Sequence, residues 1–248
     1  MSEQYIVGRN PILEILRTDR HVDTIFIAEG ESRGSINRIM DIARDRNIRI
    51  ERVNKGRLDR ISGTNAHQGV AALVGPYEYS SVDGILNIAA KRDEPPFILI
   101  LDGIEDPHNL GAIIRSAEAG GAHGIIIPKR RAAQVTQTVY KSSAGSVEFL
   151  AIARVTNISN TIDNLKEKGL WIYGADMDGR KNHFDWDLSG PVGLVIGSEG
   201  RGISRLVGEK CDALLRIPIR GRTSSLNAAN AASILIYEVV RQNYGGQG

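Results

Sequence analysis

Short apolar runs bounded by glycine, proline or charged residues alternate along the chain with stretches where apolar residues return every three or four positions. The first pattern predicts buried strands and the second amphipathic helices. From residue 97 the alternation is regular. It predicts strands over 97–102, 124–128, 149–153, 171–175, 192–197 and 213–217, and helices over 109–119, near 134–142, over 157–168, from Ser204, and from about Leu226 to Gln242. Such a pattern predicts an α/β fold around a largely parallel sheet. Ligands of parallel sheets bind beyond the carboxyl ends of the strands, so the loops there are where chemistry is sought.

Residues 1–75 predict a smaller α/β unit. Asn10-Pro11 reads as an N-cap and first helical position ahead of Ile12, Leu13, Ile15 and Leu16. A strand over 24–28, a helix carrying Ile36, Ile39, Met40 and Ala43, and strands over 48–53 and 69–74 follow. After Gly75-Pro76 only 82–90 has helical spacing, and Pro95-Pro96 bars helix continuation. The expected organisation is a domain at 1–75, a linker at 76–96 and a second domain at 97–248.

With 248 residues, 42% of them hydrophobic, the chain can bury a sizeable core, which excludes disorder. The single cysteine, Cys211, excludes an intrachain disulfide and a Cys-based zinc site and fits a reducing compartment. The longest apolar runs, such as Phe97 to Leu101 and Val192 to Ile196, are too short to span a membrane, and the N-terminus lacks the features of a signal peptide. A cytoplasmic location is expected, with no membrane partner. The formal charge of +2 comes from the first 75 residues, with 12 Lys plus Arg against 10 Asp plus Glu; the remainder holds 19 of each. Arg44, Arg46, Arg49, Arg52, Lys55, Arg57 and Arg60 concentrate there as a basic patch or a solvated edge. Arginine outnumbers lysine 23 to 8, which suits forked contacts to phosphate.

Three loops hold candidate chemistry. In the first, residues 101–115, Asn109 and Arg115 either face a ligand or serve as a helix cap and a surface charge. The second, Ile196 to Gly202, has glycines that allow close approach of the backbone to a ligand, with Glu199 among them. Neither a dinucleotide fingerprint nor a P-loop occurs, which argues against a nicotinamide enzyme and a P-loop NTPase. The third, Arg216 to Ala232, joins three arginines and a hydroxyl cluster to a helix of small residues; Ser224, Ser225 and Asn227 offer polar contacts to a ligand or cap that helix. Asp176, Asp178, His183, Asp185 and Asp187 lack calcium-loop spacing and read as a turn at Asp178-Gly179, so no metal is expected.

Taken together, Asp106-Pro107-His108-Asn109-Leu110-Gly111-Ala112-Ile113-Ile114-Arg115, Ile196-Gly197-Ser198-Glu199-Gly200-Arg201-Gly202, and Ile217-Pro218-Ile219 with Ser225-Leu226-Asn227 resemble, in order and spacing, the three motifs of the SpoU, or TrmH-like, RNA ribose 2′-O-methyltransferases. The resemblance covers residues 97–243, and the N-terminal unit resembles the small RNA-binding domain of the bacterial 23S rRNA guanosine subgroup. It implies a SPOUT-class α/β domain with a trefoil knot, S-adenosylmethionine as cofactor, and RNA as partner, with large-subunit rRNA preferred over tRNA. It also implies a homodimer whose site is completed near the subunit interface. By the same resemblance Gly197, Gly200, Ile217, Pro218, Ile219 and Leu226 hold the cofactor, and Asn109, Arg115, Glu199, Ser225 and Asn227 are catalytic. Arg115 would orient phosphate or stabilise developing alkoxide, held with the ribose by Asn109 and Glu199. The family often has a serine soon after the motif asparagine, where this chain has Ala228-Ala229-Asn230. The competing readings are a tRNA ribose methyltransferase and a catalytically silent RNA-binding protein; retention of Asn109, Arg115, Glu199 and Asn227 speaks against the latter.

Overall fold

The computed structural model describes residues 4–244, and its contacts divide the chain into two compact units. Unit 1 begins with strand β1 (Gln4–Val7), helix α1 (Arg9–Ile15), β2 (Val22–Ala28), α2 (Ser35–Asp45), β3 (Arg49–Val53), α3 (Lys55–Ser62) and β4 (Val70–Val74). Its four strands lie in the order β1-β4-β2-β3, with β4 antiparallel to both β1 and β2 and β3 parallel to β2. Helix α1 starts one residue earlier than Asn10 and is capped by Gly8, whose φ of 99° suits glycine. Asn10 is therefore inside the helix and not its cap. Helix α3, absent from the sequence reading, carries only Leu58 and Ile61 as apolar residues; Asn54, accepting from the Arg57 amide at 2.9 Å, fixes its start.

Unit 2 continues with α4 (Val82–Arg92), β5 (Phe97–Asp102), α5 (Pro107–Ala119) and β6 (Gly124–Pro128). The following α6 (Gln137–Ser142) and a 3₁₀ turn at Ser146–Glu148 belong to unit 1, which gathers residues up to 78 together with 135–149. There Val139, Tyr140 and Val147 are buried, and the Gln137 side chain donates to the Ser62 carbonyl at 3.1 Å. The Arg20 guanidinium, nearly buried, bonds to the Tyr140 hydroxyl, the Glu148 carboxylate and the Gly75 carbonyl. This differs from the division expected from sequence: 135–149 leaves the second unit, and 79–96 joins it instead of forming a linker. Two of the partners of Arg20, Tyr140 and Glu148, lie more than 100 residues away along the chain, beyond the reach of local periodicity.

The chain then completes unit 2 with β7 (Ala151–Val155), α7 (Ile158–Glu167), β8 (Trp171–Ala175), β9 (Lys181–Asn182), β10 (Val192–Gly197), α8 (Arg205–Lys210), β11 (Ala213–Arg216) and α9 (Ala228–Tyr244). Seven strands pair in parallel in the order β7-β6-β5-β10-β8-β11-β9. Ile98 and Ile100 pack in one core with Ile85 of α4, Ile162 of α7 and Val207 of α8, while the alternate positions Leu99 and Leu101 are also fully buried. Helix α9 packs on β10 and on α5. Strand order reverses between β5 and β10, so the loops following these two strands part at the crevice where parallel sheets bind ligands. No helix among the described residues is long and apolar enough to cross a membrane.

Candidate active site

The loop after β5 ends at Asp106, whose carboxylate accepts from the His108 amide at 2.8 Å and caps α5, with Pro107 in the first turn. Asn109 is thus not the cap expected from sequence. Its side chain is left to donate to Glu199 Oε1 at 3.0 Å and to accept from Asn227 Nδ2 at 2.9 Å. Asn227 Nδ2 also donates to Glu199 Oε1, which receives the Ala228 amide at 3.3 Å as well. Three side chains, from the first turn of α5, the turn after β10 and the start of α9, therefore form one closed cluster. Asn227 does double duty: its Oδ1 accepts from the amides of Ala229 and Asn230 at 3.0 and 3.2 Å and caps α9. The Glu199 carboxylate consequently sits at the positive end of a 17-residue helix, where the dipole favours its charge.

Two pockets flank this cluster. The larger, about 360 Å³, lies beyond the ends of β8, β10 and β11 and is lined by 175–178, 196–202, Leu215, Ile217, Ile219, Ser224, Ser225 and Leu226, among others. Its size suits a small-molecule cofactor. Its walls mix aliphatic side chains with backbone, and the amides of Ile219 and Leu226 make no hydrogen bond among the described residues, leaving them to a ligand. The strand-end loop folds back through paired bonds between Ser198 and Gly202, at 3.1 and 2.9 Å. A side chain on Gly197 would stand 2.1 Å from the Gly202 carbonyl carbon, so that turn requires glycine. The smaller pocket, about 160 Å³, is lined by Gly103, Ile104, Glu105, Asp106 and Asn109. Ser198, Glu199 and Arg201 line both.

Of the cofactor residues expected from sequence, Gly197, Gly200, Ile217, Ile219 and Leu226 line the larger pocket, while Pro218 does not. Ser225 lines it too, and Asn109 lines the smaller one. Arg115 stands apart: it is exposed, lines neither pocket and has no polar partner among the described residues. Six residues at about 100° each carry it roughly a third of a turn from Asn109, and about 9 Å along the axis, so it points from a different face of α5. Missed from sequence were Asp176 to Asp178 and Arg201; the adjacency of β8 and β10, which brings Asp176 into the pocket, is a property of strand order. Asp176 accepts from the Asp178 amide at 2.8 Å, the turn expected there.

The basic patch expected between Arg44 and Arg60 is largely spent within unit 1. Arg46 donates to the carbonyls of Leu16, Thr18 and Arg20 at 2.9 to 3.1 Å, and Arg52 to that of Glu31 at 2.6 Å. Arg57 pairs with Glu51 at 2.7 Å and Arg44 with Asp41 at 2.9 Å. Cys211 offers no nucleophile, because burial pushes its thiol up to about 12.

Comparison with known proteins finds relatives across both units. Residues 96–237 match the SpoU rRNA Methylase family, and residues 5–80 match the family described as RNA 2′-O ribose methyltransferase substrate binding. YacO of Bacillus subtilis (strain 168), a TrmH family protein named for tRNA/rRNA methyl transfer, is 46% identical over 98% of both chains. The SpoU methyltransferase AviRb of Streptomyces viridochromogenes, solved in complex with AdoMet, superposes with a TM-score of 0.81 at 30% identity over 97% of this chain and 90% of its own. An AdoMet-bound rRNA methyltransferase of Sinorhizobium meliloti gives 0.78 at 26% identity over 96% and 87%. With three loops converging on one crevice and family matches across both units, the chain belongs to the SpoU, or TrmH, family of RNA methylases, its N-terminal part a substrate-binding domain and its C-terminal part the methylase domain.

Proposed function

We propose that this protein transfers a methyl group from S-adenosylmethionine to a ribose 2′-hydroxyl of RNA, at a guanosine of large-subunit (23S) rRNA, in the cytoplasm. The observation that carries the reading is the Asn109–Glu199–Asn227 cluster, which stands between a pocket of cofactor size and a smaller polar one. In this reading Gly197, Gly200, Ile217, Ile219 and Leu226 hold the cofactor, with Pro218 between two of them in the chain, and the free amides of Ile219 and Leu226 serve its polar edge. Bound there, S-adenosylmethionine supplies an electrophilic methyl group, so alignment is the main demand on the protein. Asn109 and Glu199 orient the acceptor ribose, Asn227 holds both in register with α9, and Ser225 borders the cofactor. Arg115, exposed and unpaired, meets RNA phosphate or the site of a second subunit, where its charge favours developing alkoxide.

Support for rRNA over tRNA comes from the description of the family matched by residues 96–237 and from the S. meliloti enzyme; the name of YacO keeps tRNA as the second reading. A homodimer is supported by Ile234 and Tyr237, 38% and 52% exposed on α9. The resemblance to SPOUT enzymes carries the trefoil knot. The decisive experiment supplies labelled S-adenosylmethionine with separated, unmethylated rRNA and tRNA and maps the product by resistance to alkaline cleavage. Label at one large-subunit ribose is expected; label in tRNA alone would overturn the substrate, and none in either, with cofactor bound, would turn the reading to a silent RNA binder.

A further inference from the structure

Beyond the end of β6, on the edge of the sheet that carries both pockets, the chain runs Lys129-Arg130-Arg131, a sequence that no motif above includes. All three side chains are exposed, and none has an ion pair or hydrogen bond among the described residues. That sets them apart from the arginines of unit 1, which are mostly engaged with carbonyls and carboxylates of their own unit.

The loop is built to hold its shape. Gln134 Nε2 donates to the carbonyls of Pro128, Ala132 and Ala133 at 3.1, 3.1 and 3.3 Å. Arg131 is held at a φ of +56°, a left-handed conformation that costs energy for a residue with a side chain. The Ala133 amide then donates to the Ile104 carbonyl at 2.8 Å, joining the loop to the wall of the smaller pocket. On the next strand, the Arg154 guanidinium lies 3.8 Å from the ring centre of Tyr79. Cationic side chains therefore stand over β6 and β7, on the far side of β5 from the larger pocket over β10, β8 and β11.

We propose that Lys129, Arg130 and Arg131 form a phosphate-binding loop that grips the RNA backbone beside the acceptor ribose in the smaller pocket. The inference rests on the RNA methyl transfer reading above. The fixed loop offers two guanidinium forks and an ammonium to phosphate oxygens without first breaking internal contacts. An RNA strand then crosses the sheet edge on the β5–β6–β7 side and the cofactor is bound on the opposite side, so the two approach the Asn109–Glu199–Asn227 cluster from opposite directions.

The test is equilibrium binding of the full-length protein to an unmodified large-subunit rRNA transcript between about 50 and 200 mM salt. The proteins compared are wild type, the double variant Lys129→Ala/Arg130→Ala, and Arg130→Lys. In the double variant the slope of log K against log salt should become shallower by about 1.4, at about 0.7 per single-strand phosphate contact. Arg130→Lys should retain the wild-type slope, and S-adenosylmethionine affinity should be unchanged in both. An unaltered slope in the double variant overturns the proposal. So does loss of cofactor affinity together with RNA affinity, since the loop would then be shaping the pockets. Wild-type protein that shows the expected slopes yet transfers no methyl group would leave this inference standing and remove the proposed activity; methyl transfer with an unaltered slope would do the reverse.

Discussion

Asn227 joins a structural task to the functional one proposed for it, and substitution can separate them. Its Oδ1 caps α9 while its Nδ2 ties Asn109 to Glu199. Asn227→Ala removes both, and loss of an N-cap costs about 1 kcal/mol. In a unit of this size that lowers the melting temperature by about 2–4 °C. Asn227→Ser keeps a hydroxyl able to accept from the Ala229 and Asn230 amides but cannot reach as a donor to both partners. It should recover most of the lost stability. Activity should not recover, because both variants release Asn109 and Glu199 from their fixed arrangement. At about 1.4 kcal/mol per decade, loss of one or two such bonds in the aligned complex predicts roughly a 10- to 100-fold fall in kcat/KM. Thermal melts paired with methyl transfer to rRNA at saturating cofactor read both quantities. Wild-type turnover in Asn227→Ser would refute the role given to the cluster; equal destabilisation of the two variants would refute the cap.

Other outcomes follow from the same geometry. Gly197→Ala forces a methyl group onto the Gly202 carbonyl and should weaken S-adenosylmethionine binding about 5- to 150-fold, from an overpacking cost of about 1–3 kcal/mol; calorimetric titration showing wild-type affinity would contradict the pocket assignment. Arg220→Ala/Arg222→Ala removes two exposed charges beside the residues that line the larger pocket and should flatten the salt dependence of RNA binding, and an unchanged slope would exclude both from the RNA surface. Burial holds the His123 imidazole below its ordinary value of 6.5, with its Nδ1 accepting from the Phe97 amide at 3.0 Å. The folded state then binds fewer protons than the unfolded one, so this group's contribution is present above about pH 6.5 and lost as pH falls through the lowered value. Urea midpoints should rise from pH 5 to pH 7, and His123→Gln should lessen that rise; an equal rise in the variant would assign it elsewhere.

The sheet of unit 2 is legible in the sequence because its central strands are continuous apolar runs: the ranges read for β5, β6, β8 and β10 coincide with those in the structure. What could not be read is what depends on distant partners. Asn109 has the composition of a cap, yet Asp106 three residues earlier takes that task, and only the fold brings Glu199 and Asn227 to the freed side chain. Arg46 and Arg52 count as surface charge in a composition, whereas the carbonyls they serve lie 21 to 30 residues away. Arg115 falls within the right motif, but helical phase turns it from the cluster.

Residues 135–149 complete the core of unit 1, though the first 78 residues of that unit precede them by a full stretch of unit 2. During synthesis the ribosome must therefore add the 56 intervening residues of unit 2 and then the segment itself, 70 residues from Glu78 to Glu148, before both Tyr140 and Glu148 can meet Arg20, a wait of roughly 4 to 14 s at elongation rates of about 5–20 residues/s. Through that interval the nascent substrate-binding domain lacks part of its own packing, and an order of birth that runs from N- to C-terminus cannot be its order of completion. The same interleaving governs exchange of this domain between relatives: a graft cut at residue 80, where the family match ends, leaves one of its pieces behind in the host.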